Sequence, residues 1–129
     1  MVLFVLIFIT TSYLSISNNR MPFFTRASES EVDITKTLLI ANKFQALADN
    51  NDYIEFNVFV RNTNGKTLEN KPVTINSSLG NFNKTSALTD NYGKASFMLK
   101  SSETGKASIN ALVESIPVKN TVVVKFENK

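Results

Sequence analysis

The sequence predicts an all-β fold, an antiparallel β-sandwich of about seven short strands. Three observations predict it. Beyond residue 30 the apolar residues recur at every second position, which places them on one face of successive strands rather than along a helical stripe. Turn signals containing Asn, Asp and Gly separate the alternating runs. Leu, Ile, Val and Phe are plentiful and charged residues are 19%, so the body is able to bury a core.

Taken in order, Leu38-Leu39-Ile40 is the apolar centre of one or two strands between Val32 and Phe44. In Tyr53 to Arg61, an inward set of Ile54, Phe56, Val58 and Val60 alternates with Tyr53, Glu55, Asn57, Phe59 and Arg61, as in a half-buried strand. Asn62-Thr63-Asn64-Gly65 follows, and Gly65 supplies the positive φ that such a reversal demands. Val73 and Ile75 make a short strand after Pro72, whose missing N–H suits a strand start or an edge. Asn76 to Gly80 breaks it, and a polar connection through Asn83, Lys84, Thr85 and Ser86 leads to the turn Thr89-Asp90-Asn91-Tyr92-Gly93. Ala95, Phe97 and Leu99 then face in, while Lys94, Ser96, Met98 and Lys100 face out. After a break at Ser101 to Gly105, Ala107, Ile109, Ala111 and Val113 form another inward set, and Pro117 precedes a last strand with Val122, Val124 and Phe126 facing in.

At 129 residues the chain suits one domain with one core. It contains no His and no Cys, so it lacks the usual near-neutral proton shuttle, the thiolate nucleophile and the N and S ligands of zinc, copper and iron–sulfur sites. The net charge of +3 owes two units to Arg20 and Arg26, since the first 27 residues hold no acid; the remainder has 12 Lys/Arg against 11 Asp/Glu. Those lysines are scattered singly, with none of the aromatic interleaving of a nucleic-acid footprint. No nucleic-acid partner is expected.

Val2 to Ile16 is uncharged and dense in aliphatics and Phe. The run is short for a bilayer span and close to the apolar region of a signal peptide, although no Lys or Arg precedes it. Small residues at Ser15 and Ser17, or at Thr25 and Ala27, offer two cleavage patterns. Residues 1–27 are therefore expected to be a signal peptide or signal anchor, the sole membrane-directed part of the chain, and residues 28–129 the folded domain.

Ala48-Asp49 leading into the Tyr53 strand, Asn64-Gly65, Pro72-Val73, Leu79-Gly80-Asn81-Phe82, Thr89-Asp90-Asn91-Tyr92-Gly93-Lys94-Ala95 and the Ser101 to Gly105 turn fall in a characteristic order. The chain resembles the bacterial Ig-like domain, group 1, of the invasin and intimin type, over roughly residues 30 to 127. The resemblance implies an immunoglobulin-like topology and a non-enzymatic exported module at the bacterial cell surface, outer membrane-associated or extracellular, acting as a structural spacer or part of an adhesin. It implies neighbouring Ig-like domains, or a host or bacterial surface ligand, as partners. Asn64, Gly65, Asp90 and Gly93 would shape reversals, and Phe56, Val58, Ile75, Phe97, Leu99 and Ile109 would fill the core. Two departures from the family pattern are the absence of a glycine between Lys66 and Lys71 and the presence of a single copy without a β-barrel anchor or a lectin-like tip, which points to a truncated or split gene for a larger adhesin, a small secreted accessory protein or a minimal surface module. The alternative is a stand-alone secreted domain that binds a ligand through its loops and exposed aromatics.

No catalytic, cofactor-binding or metal-binding residue and no cofactor is assigned. Asp49, Asn50, Asn51 and Asp52 gather oxygens of the type calcium accepts, but their spacing fits no EF-hand loop and they read as a polar connection. Ser77, Ser78, Ser101 and Ser102 have no His to act as base and read as turn serines. Asn76-Ser77-Ser78 and Asn83-Lys84-Thr85 match a glycosylation pattern that occurs often by chance. Tyr53, Phe59, Tyr92 and Met98 fall on outward positions or at a turn, where a cluster of them would offer an apolar patch to a partner.

Overall fold

A computed structural model of the chain describes residues 30–129, in which ten strands form two facing sheets. A 3-10 turn at Ile34–Lys36, begun by Asp33, precedes β1 (Leu38–Ala41) and β2 (Gln45–Leu47). The rest are β3 (Ile54–Phe59), β4 (Pro72–Ser77), β5 (Asn81–Phe82), β6 (Ser86–Leu88), β7 (Lys94–Lys100), β8 (Gly105–Val113), β9 (Ile116–Pro117) and β10 (Val122–Glu127). One sheet has the order β1-β3-β7-β5. The other has the order β2-β10-β8-β4-β6, with β9 hairpinned onto β8. The chain changes sheets between β1 and β2: β1 runs antiparallel to β3, whereas β2 lies parallel to β10. Crossing over at that edge ties the two layers together at the start of the fold.

The period-two pattern decides which side chains meet in the middle. Ile54, Phe56, Val58 and Val60 are fully buried, as are Phe97 and Leu99 of β7. The facing sheet contributes Val73, Ile75, Ala107, Ile109, Ala111, Val113, Val124 and Phe126. Register sets Phe56 directly opposite Phe97 on adjacent strands. Phe82 of β5 stands edge-on to both rings, at centroid distances of 5.9 and 6.3 Å. Such edge-to-face pairs contribute about 0.5–1.5 kcal/mol beyond area burial.

The structure corrects the expected strands in four places. The connection at residues 83–86 is not a plain loop: β5 and β6 flank it, each only two or three residues long and too short to show alternation. Pro117 does not simply precede the last strand; it lies in β9, opposite Leu112. The Tyr53 strand ends at Phe59, and Arg61 is left in a single bridge with Thr67. The outward set of β7 is half-buried rather than fully solvated, because β3 and β5 flank it. The apolar run of Val2 to Ile16 and both cleavage patterns lie outside the described residues.

Two turns at one end of the sandwich share one construction. Asn62 Oδ1 accepts the N–H of Asn64 (3.0 Å) and of Lys66 (2.9 Å). Asp90 Oδ1 accepts the N–H of Tyr92 (2.9 Å) and of Lys94 (3.0 Å). In each, the glycine three residues on donates its N–H to the first residue's carbonyl, and Gly65 and Gly93 have φ of +80° and +70°. The two turns are joined, since Val60 N–H donates to the Gly93 carbonyl at 2.7 Å.

Phe97 and Lys100 separate core from surface on one strand. Phe97→Ala removes a fully buried ring and leaves a cavity, so it should cost about 3–5 kcal/mol in chemical denaturation. Lys100→Ala should cost no more than about 0.5 kcal/mol. Equal losses would mean that the strand has slipped by one residue.

Candidate functional site

The polar candidates spend their hydrogen-bonding capacity on the backbone. Asp49 Oδ1 accepts the N–H of Asp52 at 2.8 Å and of Asn51 at 2.9 Å, which holds its carboxyl below the ordinary value of 3.8. Asp52 is also held low, first by the Lys43 ammonium at 2.7 Å and then by the Leu47 N–H at 2.9 Å. Asn50 takes a positive φ of 58°, and its N–H donates to the Ser101 carbonyl. The four residues thus form a turn at the end of the sandwich opposite the Asn62 and Asp90 turns, in which the Asp49 and Asp52 carboxylates are taken up by backbone N–H groups and the Lys43 ammonium. Among the described residues no group of three or more acidic, His or Cys side chains is gathered for a metal ion.

Three of the four serines behave in the same way. Ser77 and Ser101 each bond the backbone two residues ahead, donating from the hydroxyl to the carbonyls of Leu79 (2.6 Å) and Glu103 (2.7 Å). Ser78 Oγ accepts the Ser108 N–H. Asn83 Oδ1 accepts the Met98 N–H, so this asparagine extends the β5–β7 ladder with its side chain, while Asn76 lies on β4 opposite Asn110. Among the described residues, every buried side-chain nitrogen and oxygen has a hydrogen-bond partner. Such saturation stabilises the fold, since an unpaired buried polar group would destabilise it.

The outward aromatics do not form one patch. Phe59 and Met98 share the outer face of the four-stranded sheet but lie at opposite ends of β3 and β7, because Phe59 stands opposite Lys94 and Met98 opposite Glu55. Tyr53 precedes β3 at one end, whereas Tyr92 tops the turn at the other. The apolar neighbours of Phe59 are instead on β1, where Leu38 stands directly opposite it and Leu38 and Ile40 are exposed.

A groove missed by sequence reasoning runs along the edge where the chain changes sheets. Its volume is about 470 Å³, and Lys43, Phe44, Gln45, Lys106, Val123, Val124 and Lys125 line it. Phe44 is 62% exposed, and Lys106 stands directly across from Lys125 in the β8–β10 ladder. Lys43 and Lys125 are already paired with Asp52 and Glu127, each at 2.7 Å. No periodic signal marks this groove, because its residues come from three separate segments. The polar groups that position the edges were equally hidden: Asn42, whose Oδ1 accepts the Glu55 N–H, and Thr89, whose buried hydroxyl donates to the Leu68 carbonyl at 2.6 Å.

Comparison with known proteins matches this arrangement. The model of the bacterial Ig-like domain (group 1) matches residues 36–127. Intimin of Citrobacter freundii is 37% identical over 92 residues, which are 71% of this chain and 9% of that protein's length. A C-terminal 282-residue fragment of intimin, solved in complex with the intimin-binding domain of translocated intimin receptor, superposes with a TM-score of 0.65 at 28% identity, covering 74% of this chain and 33% of the fragment. Invasin, described as a bacterial integrin-binding protein, shares the fold with a TM-score of 0.69 at 22% identity, covering 78% of this chain and 20% of its own.

The carboxylates held low by these bonds make acid the condition that loosens the turns. Asp49 and Asp52, together with Asp33, which the Thr35 hydroxyl and N–H hold low, have folded values below their unfolded ones. Their stabilisation is therefore complete above the ordinary carboxylate value and is lost as pH falls through the folded values. Thermal melts should be level down to about pH 5 and drop below about pH 4. Asp49→Asn, which keeps the acceptor oxygen but cannot titrate, should show a smaller acid drop; an unchanged drop would contradict this role for Asp49.

Proposed function

This chain belongs to the bacterial Ig-like domain (group 1) family, and from that membership we propose that it is exported and serves as a non-enzymatic structural module of a bacterial surface adhesin. The observation that carries this reading is where the chain enters and leaves the sandwich. Asp33 N–H donates to the Arg61 carbonyl and Leu38 stands opposite Phe59, so the chain enters at the end bearing the Asn62 and Asp90 turns. Phe126 stands opposite Gly105 and Ala48 N–H donates to the Glu127 carbonyl, so it leaves at the end bearing the Asp49 and Ser101 turns. Entry and exit at opposite ends let such a unit add its full length to an array, as a spacer requires.

The extent of the match to intimin supports a modular role, since the chain spans 9% of that relative's length. Residues 1–27 are assigned to the export segment and 28–129 to the module. A second reading, a domain that itself binds a host or bacterial surface ligand, has the groove beside Phe44 in its favour.

Brief trypsin treatment of intact cells tests the proposal. Mass spectrometry of the released material should show peptides from residues 30–129, and the envelope fraction should hold a chain whose first residue lies near Asn18 or Ser28. A chain beginning at Met1 and confined to the cytosol would refute export and with it the surface role. Loss of cell or host-protein binding in Phe44→Ala, with surface display unchanged, would favour the ligand-binding reading over the spacer.

A further inference from the structure

β1 is the outer strand of the four-stranded sheet, so one side of its backbone has no strand beside it in that sheet. The ladder fixes which groups point that way. Asn42 N–H donates to the Glu55 carbonyl on β3 at 2.9 Å, so Ile40 and Leu38, two and four residues earlier, also turn their backbone groups to β3. Leu39 and Ala41 therefore turn theirs outward. An open edge of this kind is a template for another strand, and proteins usually blunt it with Lys, Pro or a bulge. β1 has none of these: it reads Leu-Leu-Ile-Ala in unbroken register, with Leu38 and Ile40 50% and 46% exposed.

Both outward groups of Leu39 are instead taken by one side chain. Leu39 N–H donates to Asn120 Oδ1 at 3.2 Å, and Asn120 Nδ2 donates to the Leu39 carbonyl at 2.7 Å. A primary amide offers the same donor and acceptor pair as a neighbouring peptide. Asn120 comes from the segment just before β10, in the other sheet, 81 residues away in sequence. We propose that Asn120 is an edge guard, its amide standing where the β1 strand of a second copy would otherwise pair and so keeping the chain from self-associating.

The excluded partner is a second copy because the edge is self-complementary. In an antiparallel β1–β1 joint centred on Leu39, Leu38 of each copy stands opposite Ile40 of the other, and the two exposed apolar side chains cover each other. The joint would merge two four-stranded sheets into one continuous sheet.

The test uses the full chain, with wild type as reference. Asn120→Ala should keep a β-rich spectrum and a cooperative melt while its weight-average mass in sedimentation rises with concentration toward twice the wild-type value. Adding Ile40→Lys, which places a charge on the edge and leaves residue 120 untouched, should return the mass to the wild-type value. A folded Asn120→Ala chain of unchanged mass would overturn the proposal, as would association that survives Ile40→Lys. Hydrogen exchange on the wild type decides the matter should Asn120→Ala fail to fold. The Leu39 amide should exchange far more slowly than the Ala41 amide, and equal exchange would overturn the guard.

Discussion

The register of β3 on β7 is the constraint on which the rest of this sandwich depends. It places Phe56 against Phe97, which together form the slot that Phe82 closes from β5. A slip of one residue would turn the inward row of one of the two strands toward solvent. The two side-chain-locked turns at the end of this strand pair hold the register. Asn62 and Asp90 each collect two backbone N–H groups, and the Val60 to Gly93 hydrogen bond clamps one turn to the other. Alternation supplies the driving force, and the turns remove the alternatives.

Much of this was legible in the sequence because it is local. The inward sets of β3, β7, β8 and β10 follow from period two, and Gly65 and Gly93 announce the positive φ that the turns require. What escaped is long-range or too short to have a period. β5 and β9 have two residues each, and whether Asn81-Phe82 pairs with β7 depends on residues seventeen or more positions away. Asn83 read as part of a polar connection, and nothing in the sequence singled out Asn42 or Asn120, yet each extends or covers a strand edge with its amide. The exposed aromatics illustrate the same limit: alternation placed Phe59 and Met98 on outward positions of their strands, but only the register shows that they share one outer face and lie at opposite ends of it.

The candidate site was legible mainly as chemistry that the chain lacks. With no His or Cys, the residues available for reactivity were serines and carboxylates, and those at the turns are bound to backbone groups. In these turns the polar side chains set the course of the backbone. The chain belongs to the bacterial Ig-like domain (group 1) family, and it enters and leaves the sandwich at opposite ends.

Equilibrium denaturation of Gly93→Ala beside Gly65→Ala tests the governing role of the turn junction most directly. Both glycines have positive φ, so alanine carries a similar backbone strain at each. They differ in surroundings, since a Cβ at Gly93 would lie 2.6 Å from the Val60 carbonyl oxygen while one at Gly65 meets nothing within 4 Å. The account predicts that Gly93→Ala loses at least about 1 kcal/mol more than Gly65→Ala and that the Val60 amide loses its exchange protection. Equal losses at the two positions, with Val60 still protected, would contradict it.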